Sequence, residues 1–421
     1  MAWLSFLGPF FFASYGFANW LASTRTDVGA VVFAWERAIP FVPWTIVPYW
    51  SIDLLYAVSL FVCTRRREVD RHAVQLLFVQ LVAIAFFIAL PLRFTFARPQ
   101  ADGIYGALFT ALGGFDKPFN QAPSLHIALL VVIWHGLAHH VSPRWRWPLN
   151  AWMALIGASV LTTYQHHFID LPTGLVAGFA ALWVVPDEEE SPLLRLSFSN
   201  DHKRRRMAAL YAAGASLCAA IACLGGAWLW MFWLAIALGL VALIYGWIGE
   251  RGFQKNAHGQ LSVGSRGLLA PYLARAWLNS RLWTRGHPRP AEVMDGVSIG
   301  RIPSASQLRH SEFAAIVDLS AELSCGDPGV RSYRSVSVLD LTVPSAEALR
   351  AAAGAIETAR QSGPVLVCCA LGYSRSAAAV AAWLLTTRRA STVEDAMSIV
   401  RRGRPAIVLT SEHSSALAAF A

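Results

Sequence analysis

The sequence is poor in charged residues and in cysteine for its length. Only 14% of its 421 residues are charged, whereas 55% are hydrophobic, a balance that a wholly soluble chain does not have. The six cysteines follow no regular spacing, which argues against a disulfide scaffold. Basic residues outnumber acidic ones, with a formal charge of +9, but they form short clusters beside apolar runs and no nucleic-acid recognition module is evident. We therefore expect membrane lipids as partners and no nucleic acid.

Long apolar segments dominate the chain before about residue 250. A membrane helix needs about 20 mostly apolar residues, and eight segments approach that length. They cover residues 2–22, 42–63, 73–92, 123–141, 148–165, 168–186, 207–225 and 228–249. The first has neither a basic start nor a small-residue cleavage site, so we interpret it as a retained helix and not as a signal peptide. The pattern predicts an all-α polytopic membrane bundle of about eight helices.

Basic loops between these segments predict the orientation of the bundle. Arg65–Arg71, then Arg144 with Arg146, then Arg195 with Lys203–Arg206 fall on alternate sides of the predicted spans. Such loops usually remain in the cytoplasm. Both termini would then be cytoplasmic, which suits a reduced catalytic thiol in the C-terminal part.

The composition divides the chain into four predicted regions. Residues 1–186 form the membrane domain, and residues 187–250 form a polar linker and a final transmembrane hairpin. Residues 251–294 form a juxtamembrane segment, in which Leu268–Trp283 has the pattern of an amphipathic helix on a membrane surface. Residues 295–421 alternate short apolar runs with helical patterns, which predicts an α/β domain.

The predicted elements of that domain are four strands and three helices. The strands are Gly296–Ile299, Ala315–Leu319, Ser335–Leu339 and Val365–Cys368. The helices are Ala346–Arg360, Arg375–Arg388 and Thr392–Arg401.

A Cys-x-x-Gly-x-x-Arg-Ser motif joins the last predicted strand to an Ala-rich helix. It begins at Cys369 and ends at Ser376. Backbone N–H groups of such a loop, together with the helix N-terminus, can cradle a phosphate dianion and favour a thiolate at Cys369. Arg375 can grip two phosphate oxygens, Ser376 can stabilise the departing thiolate, and Gly372 permits the tight turn. The other predicted phosphate-binding residues of the cradle are Ala370, Leu371, Tyr373 and Ser374.

This motif resembles that of the dual-specificity branch of the protein tyrosine phosphatases, over roughly residues 295–415. The resemblance implies the family's α/β fold and a phosphocysteine intermediate, with no metal and no cofactor. Cys368 replaces the family's usual His before the nucleophile. An adjacent-cysteine disulfide is geometrically unfavourable, so we expect Cys368 to be a passive strand residue.

The chemistry also needs a general acid that protonates the leaving oxygen. Asp340, which follows an apolar strand, is our candidate. Asp318 lies within a predicted strand and is expected to be structural, whereas Asp327, in a Gly-Asp-Pro turn, remains a rival.

Three groups of polar residues lie at predicted membrane-helix ends on the non-cytoplasmic side. They are Arg93 with Arg98, then Ser124 with His126, then His166 with Asp170. Ionisable residues at membrane helices are costly and mark functional sites. Asp170 can orient His166 if both lie on one helical turn, so that His166 attacks phosphorus while His126 acts as acid and base. Arg93, Arg98 and Ser124 would bind phosphate oxygens, and His167 is the alternative nucleophile.

These residues resemble the type 2 phosphatidic acid phosphatase superfamily, over roughly residues 40–186. The resemblance implies a helical bundle, no metal, and hydrolysis or transfer of a lipid phosphate. In two places the sequence departs from the family: Arg93 stands close to Arg98 where a more distant Lys is usual, and no Ser-Arg precedes His166.

Together the two motifs resemble bacterial fusions of these families. We therefore expect a bifunctional phosphatase of the bacterial inner membrane, acting on phospholipid phosphomonoesters, with the membrane site facing the periplasm. The alternatives are a phosphoprotein phosphatase with a membrane sensor or anchor, and a membrane domain that transfers phosphohead groups. A non-enzymatic transporter or scaffold would not need both motifs.

Overall fold

The computed structural model describes residues 2–420, which form two compact units. The first unit contains the described residues up to Leu194 together with Leu224–Trp228. The second contains Arg195–Cys223 and the described residues from Leu229 onwards. The second unit therefore joins the helices His202–Ala222 and Met231–Leu243 to the C-terminal domain.

The first unit is helical. Its helices are α1 (Ala2–Ser23), α2 (Ile46–Phe61), α3 (Arg66–Ala89), α4 (Gly103–Gly113), α5 (Leu125–His140), α6 (Pro143–Thr162) and α7 (Asp170–Val184). The helix α4 has no counterpart in the sequence prediction, because its 11 residues are too few for a predicted span.

Three stretches of helix in the described chain are long and apolar enough to cross a membrane. They are Pro43–Phe61, Arg66–Ala89 and Gly226–Ile248. The apolar helices α5 and α7, with 16 and 15 residues, reach about 24 Å and 22 Å at 1.5 Å per residue, less than the roughly 30 Å of a bilayer core. The structure thus supports three spans by length and composition, and the eight-span bundle remains a prediction.

Glycine allows α5 and α7 to pack closely. A Cβ atom at Gly174 would lie 2.7 Å from the main-chain oxygen of Ser124, and one at Gly178 would lie 2.9 Å from that of Ala128. Small residues four apart commonly permit such close packing of membrane helices. The close approach brings the start of α5 beside the start of α7. Ser124 caps α5, because its Oγ accepts a hydrogen bond from Ile127 N.

The second unit combines a helical hairpin with an α/β domain. The helices are α8 (His202–Ala222), α9 (Met231–Leu243), α10 (Val263–Leu268), α11 (Ala270–Trp283), α12 (Ala305–Arg309), α13 (Ala346–Arg360), α14 (Arg375–Thr386), α15 (Val393–Gly403) and α16 (Ser411–Phe420). The strands are β1 (Ala291–Met294), β2 (Val297–Arg301), β3 (Ala315–Ser320), β4 (Ser332–Val338) and β5 (Val365–Cys369).

The strands form one mixed sheet in the order β1-β2-β5-β3-β4. The strand β1 is antiparallel to β2, and the other pairs are parallel. The central strand β5 is buried throughout, as its uninterrupted apolar sequence predicts. The predicted α/β fold is confirmed, whereas β1 and α16 were not predicted from the sequence.

Candidate active sites

The loop between β5 and α14 forms a tight cradle. Its central glycine, Gly372, has a φ of +73°, and a Cβ atom there would lie 2.4 Å from the carbonyl carbon of Gly300 on β2. Only glycine combines that backbone conformation with so close an approach. The neighbouring strand therefore fixes the shape of the loop that follows Cys369.

The Cys369 thiol lies at the base of this cradle. Its Sγ accepts a hydrogen bond from Gly372 N at 3.2 Å and lies 3.4 Å from Ser376 Oγ. The sulfur thus has a backbone N–H and a hydroxyl group within hydrogen-bonding distance.

Arg375 is held rigidly at the start of α14. Its two Nη atoms donate to both carboxylate oxygens of Glu322, at 2.9 and 2.8 Å, and Nη1 also donates to Val338 O at 2.8 Å. Burial opposes the charge of Glu322, but the Arg375 guanidinium outweighs it and holds the pKa of Glu322 below its usual value. Glu322 therefore stays ionised and orients the guanidinium.

Asp340 lies in the loop after β4 and contacts the same guanidinium. Its Oδ1 accepts a hydrogen bond from Arg375 Nη2 at 2.8 Å. Burial raises the pKa of Asp340, while Arg375 acts in the opposite direction. A raised pKa suits a proton donor near neutral pH.

The two rival carboxylates have other environments. Asp318 is fully buried and binds Lys255 Nζ at 2.5 Å and Tyr333 Oη at 2.8 Å. Asp327 is exposed and accepts a hydrogen bond from Gly329 N. Neither has a described hydrogen bond to a residue of the cradle.

Cys368 and Cys369 lie on opposite faces of the sheet. Cys369 packs in the core between the sheet and α13–α14, whereas Cys368 packs with Cys325 and Ile316 on the other face. Burial raises the pKa of the Cys368 thiol well above its usual value. Cys368 is therefore a neutral strand residue that faces away from the nucleophile.

Three residues that support the cradle were not identified from the sequence. They are Glu322, Arg404 and His413. Arg404 Nε donates to Gly372 O at 3.0 Å, and His413 Nε2 lies 2.8 Å from Ser374 Oγ. Each lies far from the motif in the chain, so no local pattern indicates these contacts.

In the first unit, Ser124, His166 and Asp170 lie together. His166 Nδ1 is 3.1 Å from Asp170 Oδ2, and His166 Nε2 is 3.3 Å from Ser124 Oγ. His166 lies in the loop before α7, not in a helix, so the loop and not a shared helical turn brings the two side chains together. The backbone hydrogen bond from Ser124 N to Asp170 O keeps the helix ends together.

His126, Arg98 and Arg93, the other residues predicted for this site, have different environments. The ring of His126 stacks on Tyr49 at 4.2 Å, and within residues 2–420 its buried Nε2 has no hydrogen-bond partner. Arg98 donates to the main-chain oxygens of Thr163 and Tyr164, both at 3.1 Å, just before His166. The side chain of Arg93 is exposed, and its main chain bonds Gly29 O.

His167, the alternative nucleophile, has a carboxylate partner of its own. Its Nδ1 lies 2.9 Å from Glu36 Oε2, and its Nε2 lies 3.1 Å from Thr95 Oγ1. Both of its ring nitrogens are thus engaged by protein groups.

Two groups of side chains in the first unit have the composition and spacing of metal ligands. One contains Cys63, Glu68 and His140, and the other contains His135, His139 and Asp187. His135 and His139 lie toward the C-terminal end of α5, whereas Ser124 caps its N-terminus. The His166 cluster and the groups near α5's far end are therefore separate features.

Comparison with known proteins identifies the C-terminal domain. Residues 299–421 match the family model of the dual specificity phosphatase catalytic domain. Among solved structures, Tk-PTP in the active form is 28% identical, with 32% of this chain and 97% of that chain covered and a TM-score of 0.29. Human DUSP28 is 26% identical, with 32% and 93% covered and a TM-score of 0.29. PTPMT1 is 21% identical, with 31% and 93% covered and a TM-score of 0.29.

No curated protein matches the chain. The family match includes Cys369, Arg375 and Asp340, and it confirms the resemblance expected for the C-terminal domain. Residues 299–421 are thus a dual specificity phosphatase catalytic domain, and the chain that carries them is a phosphatase.

Proposed function

We propose that the chain is a bifunctional membrane phosphatase that hydrolyses phosphomonoesters, with phospholipids as the substrate class, at two separate centres. One centre uses Cys369 in the cytoplasm, and the other uses His166 on the periplasmic side of a bacterial inner membrane. The observation that carries the first centre is the cradle in which Gly372 N and Ser376 Oγ meet the Cys369 sulfur while Arg375 is fixed by Glu322.

In the first centre, Cys369 Sγ attacks phosphorus as the bond from phosphorus to the ester oxygen breaks. Asp340 gives its proton to the departing oxygen, so that an alcohol leaves and a phosphocysteine forms. Water then attacks the phosphocysteine and loses its proton to the Asp340 carboxylate. Inorganic phosphate and the free thiolate result, and the Ser376 hydroxyl stabilises the sulfur.

The backbone N–H groups of residues 370–374 and Arg375 would bind the phosphoryl oxygens. Four hydrogen bonds from the Nη atoms already engage Glu322, Val338 and Asp340, which leaves Nε–H as a further donor. A phosphate oxygen that accepts the Nη2 hydrogen bond in place of Asp340 would also free the Asp340 carboxyl group to meet the leaving oxygen.

The second centre is supported by the contacts of His166 with Asp170 and Ser124. Asp170 would hold a proton on Nδ1, so that Nε2 can attack phosphorus. His126, whose buried Nε2 is unpartnered among the described residues, would protonate the leaving oxygen and later accept a proton from water. The resulting phosphohistidine would be hydrolysed, or would pass its phosphoryl or phosphohead group to an acceptor lipid if the centre is a transferase.

The test is phosphate release by the purified full-length chain in detergent. The substrates are a set of lipid phosphomonoesters and a phosphotyrosine peptide, and the variants are Cys369→Ser, His166→Ala and the double mutant. Loss of a different subset of substrates in each single mutant is the expected result. Unchanged release in both would refute the proposal, and activity on the peptide alone would favour a phosphoprotein phosphatase with a membrane anchor.

A further inference from the structure

The helix α11 exposes an apolar face between arginines. Four of its large apolar side chains are at least half exposed: Trp277 (51%), Leu278 (52%), Leu282 (53%) and Trp283 (70%). Exposed Arg275 precedes them and exposed Arg285 follows them. Aromatic and aliphatic side chains bordered by Arg are typical of helices that lie in the headgroup region of a bilayer.

The opposite side of α11 holds the catalytic cradle. Ser280 Oγ donates to Ala370 O at 2.5 Å, and Tyr373 Oη donates to Trp283 O at 3.0 Å. Just beyond the helix, Thr284 Oγ1 accepts a hydrogen bond from Arg301 Nη1 at 2.7 Å. A surface that immobilises α11 therefore also orders the loop that binds phosphate.

In the same unit, α10 and Asp340 contact a helical stretch that is long and apolar enough to cross a membrane. Trp233 Nε1 donates to Gly267 O, at the end of α10, at 3.2 Å. Tyr245 Oη donates to the main-chain oxygen of Asp340 at 2.9 Å. Trp233 and Tyr245 both belong to the apolar stretch Gly226–Ile248. If Gly226–Ile248 crosses a bilayer, elements that are hydrogen-bonded along it lie in or at that bilayer, so lipid is the first surface that the exposed face of α11 meets.

We infer that α11 rests on a bilayer that contains anionic lipids, with Leu278, Leu282 and Trp283 below the headgroups. Arg275 and Arg285 pair with lipid phosphates at the surface. The Cys369 cradle, which contacts the other side of α11, then lies close to the membrane surface, within reach of phosphomonoesters of the same membrane. This inference rests on the proposed membrane location and Cys369 chemistry, and it adds the docking surface and the source of the substrate.

Photo-cross-linking tests the docking surface without relying on catalysis. The full-length chain is placed in nanodiscs that contain a phosphatidylcholine with a diazirine near its glycerol, and adducts are mapped by mass spectrometry. Adducts on residues 277–285 are expected in the wild type and in Cys369→Ser, and their loss is expected in Leu278→Glu/Leu282→Glu. Adducts on Gly226–Ile248 with none on α11 would overturn the inference, as would cross-links from α11 to a second protein in place of lipid.

Kinetics test the consequence for the cradle. In nanodiscs with phosphatidylglycerol, and in a His166→Ala background that removes the second centre, the ratio of kcat/KM for phosphatidic acid to that for p-nitrophenyl phosphate should fall about tenfold in the Leu278→Glu/Leu282→Glu variant, as for the loss of one well-oriented contact. Val330→Glu is the matched control, because Val330 is fully exposed in the same domain and far along the chain from α11. An unchanged ratio in the α11 variant would refute the role in substrate delivery. If no variant hydrolyses either substrate, the proposed function fails while the cross-linking result still decides the docking surface.

Discussion

Arg375 donates a hydrogen bond to Asp340 at 2.8 Å, so the residue that would bind phosphate also holds the residue that would protonate the leaving group. Glu322 binds the other edge of the guanidinium through both carboxylate oxygens. The three side chains form one charged cluster in which Arg375 lies between two carboxylates. A substrate phosphate bound by Arg375 would displace Asp340 more readily than Glu322, because Glu322 makes two hydrogen bonds to the guanidinium and Asp340 makes one.

Replacing Asp340 with Asn should affect substrates according to their leaving groups. Asn cannot give up a proton, so kcat for an alkyl phosphate should fall about 100-fold or more. The rate for p-nitrophenyl phosphate should change much less, since its leaving group needs no protonation. The measurement is kcat for both substrates in a His166→Ala background, which removes the second centre. Equal losses on the two substrates would assign Asp340 a structural role.

The pH dependence of kcat gives a second test of Asp340 as the general acid. Burial raises the pKa of Asp340, so the protonated, active form persists to higher pH than for an exposed Asp, and kcat for the alkyl phosphate should fall as pH rises through that pKa. The Asn variant should lack this alkaline decline. A decline that persists in the variant would point to another acid.

Glu322→Gln should weaken phosphate binding. The change removes one charge-assisted contact from Arg375, which is worth about 1.5–3 kcal/mol, so the inhibition constant of inorganic phosphate should rise about tenfold or more. KM for p-nitrophenyl phosphate should rise with it. The control is Glu347→Gln on α13, because Glu347 is exposed and lies in the first turn of its helix. A kcat loss with no change in phosphate inhibition would contradict the assigned role of Glu322.

The sequence predicted the catalytic motif better than the residues that hold the motif in place. Cys369, Arg375 and Ser376 form a local pattern between a strand and a helix, and α13 has the bounds predicted for it from the sequence. Glu322 follows β3 and Arg404 follows α15, so their contacts with the cradle depend on how the sheet and helices pack. Such long-range contacts leave no spacing signal in a single sequence.

In the apolar helical part of the chain, too, local sequence patterns were predicted better than long-range contacts. Apolar segments predicted where most helices lie, but helix length then separates the three candidate spans from shorter apolar helices such as α5 and α7. The contact of His166 with Asp170 was predicted from their spacing, although a loop and not a helical turn produces it. Glu36 could not be foreseen as the partner of His167, since 131 residues separate the two.

His413 should act as a positioning residue for the cradle. Thr410 N donates to His413 Nδ1 at 3.3 Å, so the ring proton lies on Nε2 and is donated to Ser374 Oγ at 2.8 Å. His413→Ala should raise KM for p-nitrophenyl phosphate several-fold with a smaller effect on kcat, and His413→Gln, which keeps an N–H donor, should restore KM in part.

Acidification should reproduce the effect in the wild type. Burial lowers the pKa of His413, with Lys203 adding to the shift, so the neutral ring predominates until the pH falls through that lowered value. Protonation of Nδ1 then turns two N–H donors, those of His413 and Thr410, toward each other. KM should therefore rise as the pH falls through the pKa of His413. The His413→Gln variant should lack this rise in KM. Identical KM profiles for the two proteins would show that His413 does not position Ser374.

The identity of the membrane nucleophile can be decided by trapping. In a Cys369→Ser background, a phosphohistidine formed from radiolabelled substrate should survive alkali, hydrolyse in acid and map to His166. His166→Ala should abolish both the label and phosphate release. His167→Gln is the matched control, because His167 Nδ1 is engaged by Glu36 at 2.9 Å and its ring lies against Phe94, so that variant should keep the label on His166. Label on His167 would transfer the nucleophilic role to that residue, and it would make Glu36 the carboxylate that orients the ring.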